Sequence, residues 1–117
     1  MKKLKVYEYG GCSTCKKALK FLDGKKVPYD KLDITAQAPT PAELKAMLGH
    51  VGELRKLFNT SGLVYKELKL SEKLPAMTEK DALALLASNG RLVKRPFVLG
   101  DGFGLVGFKE DEWKKSL

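Results

Sequence analysis

The sequence predicts an α/β domain whose four strands form a mixed sheet, with an all-helical segment between the second and third strands. Three observations carry this. An alternating strand pattern at the N-terminus runs through two glycines directly into a helix start. Capped helices fill the middle of the chain, and strand and hairpin chemistry returns from about residue 95.

Lys3 to Tyr9 (KLKVYEY) alternates like a half-buried strand and ends at Gly10-Gly11. Lys16 to Lys26 reads as a helix, with Cys15, Ala18, Leu19 and Leu22 sharing a face; Asp23-Gly24 and Val27-Pro28 close it. Tyr29 to Ile34 reads as a short, charged second strand. Thr40-Pro41-Ala42-Glu43 is a capping-box signature with proline at the first helical position, followed by Leu44, Met47 and Leu48 as buried face and Gly49 as expected stop. Leu54, Leu57 and Phe58 mark a short helix ending near Asn59-Thr60-Ser61-Gly62, and Val64 to Leu70 is read as one helical turn. Thr78-Glu79-Lys80-Asp81 caps a further helix carrying Ala82, Leu83, Leu85 and Leu86 and stopping at Asn89-Gly90. Arg95 to Leu99, the turn Gly100-Asp101-Gly102, and Phe103 to Gly107 form a predicted hairpin. Lys109 to Leu117 has its acids early and Lys114-Lys115 late, the order that suits a helix dipole.

The 117 residues suit one compact domain, with 44% hydrophobic and 31% charged residues. No apolar run approaches the ~20 residues that span a bilayer, and no signal-peptide core follows the basic start, so the expected location is the cytoplasm. Net charge is +8. An anionic partner is one reading of that excess and a solvated lysine-rich surface the other. The lysines are spread along the whole chain without interleaved aromatics or a nucleic-acid motif, so the solvated surface is the reading adopted, with no direct nucleic-acid or membrane binding.

The chemistry concentrates in Cys12-Ser13-Thr14-Cys15. A thiol acts as a nucleophile only when ionised, and a strand-to-helix junction offers free N–H groups and a dipole that favour an anion. Lys16 and Lys17 add positive charge one turn on. Cys12 is the expected attacking thiol and Cys15, in the first helical turn, the expected resolving one; Ser13 and Thr14 between them are expected to touch substrate. A zinc site would need two further ligands, and the chain offers only His50, so zinc requires a second copy. So short a loop makes a weak structural staple, and two coincidentally buried cysteines would leave the glycine approach and helix-start placement unexplained.

Arg95-Pro96 is the second constellation. A proline at a strand start donates no hydrogen bond, and X–Pro is the bond that adopts cis at low cost. It reads either as the wall facing the thiols, with Arg95 holding an anionic group, or as an ordinary edge proline beside a surface arginine. His50 reads as a surface or cap residue. Trp113 and Phe108 are expected to pack the last helix onto the sheet; Tyr7 and Tyr9 read either as flanking the thiol or, the reading adopted, as packing half-buried along the first strand.

With these residues in place, the chain resembles the thioredoxin-fold family of glutaredoxin-dependent arsenate reductases and Spx-type proteins, through YEYGGCSTCKKALKFL, LFNTSGLVYKEL, LVKRPFVL and LVGFKEDEW. The resemblance spans essentially the whole chain and looks closest to the uncharacterised branch of that family. It implies a thioredoxin-like fold in a single domain over 1–117, with a helical insert from about 36 to 92. It implies that Cys12 is the catalytic cysteine and Arg95 one of three oxyanion-holding arginines. The other two do not carry over: Asn59 and Phe108 stand near their places, with Arg55 a helical turn away and Lys56 and Lys109 nearby as point charges. The CxxC resembles the redox switch of Spx-type regulators, which bind the RNA polymerase α subunit. Three activities follow: thiol–disulfide exchange by Cys12 and Cys15, arsenate reduction, and redox-switched binding without turnover. No metal or prosthetic group is implied. Glutathione is the expected co-substrate, with glutaredoxin or thioredoxin as alternative reductants.

Overall fold

The computed structural model describes residues 3–117; Met1-Lys2 of the basic start lie outside the described residues. The chain runs β1 (Leu4–Glu8), α1 (Ser13–Gly24), β2 (Tyr29–Asp33), α2 (Pro41–Val51), α3 (Leu63–Glu67), α4 (Leu70–Lys73), α5 (Glu79–Ser88), β3 (Phe97–Leu99), β4 (Gly104–Val106) and α6 (Glu110–Ser116). The sheet order is β2-β1-β3-β4, with β1 and β2 parallel and both later pairings antiparallel. This is the mixed, thioredoxin-like sheet expected of the sequence, and every element between β2 and β3 is helical.

Alternation along the strands divides the core between the two faces of the sheet. Val6 pairs with Val98 and both face α1 and α6, where Ala18, Leu22 and Trp113 complete one cluster. Tyr7 pairs with Phe97 and both face the insert, where Leu44, Met47, Phe58 and Leu86 build the other. Trp113 is 1% exposed and donates its Nε1–H to the Gly107 carbonyl at 3.2 Å. Its ring meets Phe108 at 5.0 Å, so the two residues seat α6 as expected.

Three local readings change. Helix α1 begins at Ser13 rather than Lys16, because Cys12 itself supplies the cap. Helix α2 runs through Gly49 to Val51, since the residue in the left-handed conformation that ends it is Gly52, at φ 84°. The segment after residue 62 forms two short helices rather than one turn, broken where Lys69 adopts φ 52°. Gly90 is obligatory for packing: a Cβ there would sit 1.7 Å from the Ile34 carbonyl oxygen.

The insert also aims the approach to β3. The Asn59 N–H donates to the Leu92 carbonyl at 2.7 Å, and the Lys94 N–H to the Leu57 carbonyl at 2.8 Å. Arg95 and Pro96 are thereby delivered beside the end of β1.

Candidate functional site: a thiol pair at a helix start

Chain entry into α1 is a tight turn in which the Cys12 N–H donates to the Tyr9 carbonyl at 3.0 Å. Cys12 then occupies the N-cap, with extended backbone at φ −92° and ψ 114°. Its sulfur accepts the Cys15 N–H at 3.2 Å, the place a serine or threonine hydroxyl takes in an ordinary cap. The first turn of α1 contains no acidic residue. The Ser13 and Thr14 N–H groups have no helical partner there.

The two thiols differ sharply in environment. Cys12 is partly exposed, whereas Cys15 is 1% exposed. Burial pushes the Cys15 thiol up to about 12, and its hydrogen bond to Cys12 adds to the rise. The Arg95 charge acts on Cys15 in the opposite direction. Lys16 and Lys17, expected to contribute positive charge, lie exposed on α1.

Arg95 is fixed by Tyr9. Extending the β1–β3 register by two residues sets Arg95 opposite Tyr9, and its guanidinium carbon lies 5.2 Å from the Tyr9 ring centroid. The ring in turn lies over Gly11, where a Cβ would come within 2.7 Å of Tyr9 Cε2. Tyr9 is 40% exposed, so it is a surface platform rather than the half-buried packing residue expected. Tyr7 does pack, fully buried edge-on to Phe97. The Arg95–Pro96 peptide is cis, Pro96 is buried, and its carbonyl accepts the Gly107 N–H at 2.9 Å.

The structure therefore places Cys12 and Cys15 at the first turn of α1, with Ser13 and Thr14 between them and Arg95 over Tyr9, three residues before Cys12. It does not bring Arg55, Lys56 or Lys109 to them; these line a separate groove beside β4. Phe108 is committed to ring contacts with Phe21 and Trp113. His50 is exposed in the last turn of α2, and among the described residues no cluster of three or more His, Cys, Asp or Glu side chains could hold a metal.

Sequence reasoning missed the second role of Glu43. It closes the capping box of α2, and it also accepts the Tyr7 hydroxyl at 2.7 Å and pairs with Lys5 Nζ at 2.8 Å. Burial raises the Glu43 carboxyl, but these bonds outweigh burial and leave it below the usual range. No spacing in the sequence links residue 43 to residues 5 and 7; the packing of α2 beside β1 does.

A model of the ArsC family matches residues 7–116. The chain belongs to the ArsC family. Among curated relatives, the uncharacterized protein YusI of Bacillus subtilis is 44% identical over 97% of each chain. The global transcriptional regulator Spx of Enterococcus faecalis is 28% identical over 97% of this chain and 86% of its own. Among solved structures, a Bacteroides fragilis protein described as ArsC family related is 52% identical, covers 97% of each chain and has a TM-score of 0.92. A Streptococcus mutans protein described as a possible arsenate reductase is 37% identical over 95% of this chain and 97% of its own, with a TM-score of 0.87. Among the described residues, no helix is long and apolar enough to cross a membrane.

Proposed function

We propose that this ArsC-family chain is a thiol–disulfide oxidoreductase in which Cys12 attacks and Cys15 resolves. The carrying observation is the contrast between a half-exposed sulfur holding a helix cap at 3.2 Å and a buried partner thiol pushed up to about 12. The Cys12 thiolate attacks a substrate disulfide and releases one substrate thiolate, leaving a mixed disulfide on Cys12. The Cys15 sulfur then attacks Cys12, and its proton goes to the second departing substrate thiolate. The substrate gains two electrons; the second departing thiolate takes the Cys15 proton and the first takes one from solvent, and the protein is left with a Cys12–Cys15 disulfide. An external thiol reopens it, with glutathione as co-substrate or a dithiol protein such as glutaredoxin or thioredoxin.

Cys12 leads because its sulfur is the more exposed of the two. Part of the rise at Cys15 comes from bonding to the Cys12 sulfur. Once Cys12 is in a mixed disulfide that contribution is gone, while burial, the larger cause, still holds the Cys15 thiol up. Arg95, stacked on Tyr9, favours an anionic substrate, and the unpartnered N–H groups of Ser13 and Thr14 face the same way. Pro96 shapes the wall beside them.

Arsenate reduction is the weaker reading, since the resemblance carries over Arg95 alone of the three oxyanion-holding arginines, with Asn59 and Phe108 near the places of the other two. Redox-switched regulation has one observation in its favour, the Spx relative. It predicts that the RNA polymerase α subunit is retained by one redox form only; retention by neither removes it. The oxidoreductase reading is tested by mass spectrometry of mixed disulfides trapped on Cys15→Ser in cell extract. Substrate thiols captured on Cys12 support it, and an unmodified Cys12 under oxidising challenge overturns it.

A further inference from the structure

Along the chain the cations are dispersed, but the fold gathers five of them around one groove of about 600 Å³. Arg55 and Lys56 come from the 3-10 turn after α2, Lys94 from the approach to β3, and Lys109 and Lys115 from the two ends of α6. Two carboxylates, Glu53 and Glu112, share the lining. Among the described residues, none of the five cations has a carboxylate within 4.0 Å. Phe58, Leu105 and Val106 supply the apolar surface between them.

The groove runs along β4, the edge strand of the sheet. Its outer backbone groups have no strand beyond them, which is the template for adding an extended peptide. The cations also flank that edge on both sides. Val106 packs with the insert, which carries Arg55 and Lys56, while Leu105 packs with the α6 layer, which carries Lys109 and Lys115. Successive side chains of an added strand point alternately to these two layers. A strand acidic on both of its faces therefore meets a cation on either side.

We propose that this groove docks an extended acidic segment of a partner protein, which adds to the open edge of β4 and places its carboxylates between the two cationic flanks. Charge selects that occupant over a second copy of this chain. The chain carries a net +8, so an edge-to-edge pair would bring the unpaired lysines of two groove walls together. The proposal holds whichever chemistry Cys12 performs, because the groove contains neither thiol.

The test is fluorescence anisotropy of the full reduced chain with a labelled extended peptide of alternating Glu and Asp. Salt-sensitive binding is expected, weakened at least about tenfold by Lys94→Glu with Lys109→Glu. The charge-matched control Lys45→Glu with Lys80→Glu, on exposed positions of α2 and α5, is expected to lose far less. Equal loss in the two double variants would reduce the effect to net charge and overturn the proposal. A peptide of the same charge, N-methylated at alternate amides, needs no variant. Binding as tight as that of the parent peptide would overturn the strand pairing, and a loss of about tenfold or more supports it.

Discussion

Helices α1 and α2 start with the same geometry and different purposes. Thr40 caps α2 by accepting the Glu43 N–H at 3.1 Å, and Cys12 caps α1 by accepting the Cys15 N–H at 3.2 Å. Thr40 is answered by a reciprocal bond from its own N–H to Glu43, which also ties α2 to β1 through Tyr7 and Lys5. Cys12 receives no such answer, and the first turn of α1 has no acid. A cap closed on itself stabilises a helix. A cap left open, with sulfur as the acceptor, leaves the N–H groups of the first turn without an acid to answer them, as the proposed exchange requires.

The comparison breaks most visibly at the caps themselves. Cys12→Ser keeps an N-cap acceptor, so its melting temperature should stay close to that of the parent while disulfide exchange falls at least about a thousandfold. Parallel calorimetry and turnover measurements check this, and a large loss of stability with exchange retained would invert the assignment. On α2 the opposite pattern is expected. Glu43→Ala removes the box, the Tyr7 bond and the Lys5 pair, and should cost about 2–3 kcal/mol in denaturant titration with exchange unchanged.

A smaller effect sharpens the contrast. Ser13→Asp gives α1 the acid that α2 already has. It should stabilise the fold by about 0.5 kcal/mol while slowing Cys12 alkylation several-fold, because the added carboxylate competes for the same dipole. Faster alkylation would show that the dipole is not what activates the sulfur. The remaining effect lies in alkali. Cys15 has its folded value raised to about 12, so its contribution to stability is complete below the value of an unfolded thiol, about 8.5, and is lost as pH climbs toward 12. The stability gap between the reduced parent and Cys15→Ala should therefore narrow across that window in pH-dependent denaturant melts, and a constant gap would contradict the burial of that thiol.

Much of this was legible in sequence because it is local. A strand running through Gly10-Gly11 into CSTC announces a strand-to-helix junction, and the Thr40 and Thr78 caps state where two insert helices begin. The helical periodicity is clear only from Lys16 onward, whereas α1 begins at Ser13 because the Cys12 sulfur accepts the Cys15 N–H as a capping oxygen would. Gly49 looked like a helix stop because glycine marks such ends, but the left-handed residue that ends α2 is Gly52. What the sequence withheld is non-local. Tyr9 meets Arg95 across 86 positions only because β1 and β3 pair, and lysines that look evenly scattered converge on one groove only after folding.

The most direct measurement of the central claim is site-resolved alkylation of the reduced protein at neutral pH, followed by peptide mass spectrometry. Cys12 should be modified at least about a hundredfold faster than Cys15, which is buried and pushed up to about 12. Comparable rates at the two cysteines, or faster reaction at Cys15, would contradict the division into attacking and resolving thiols.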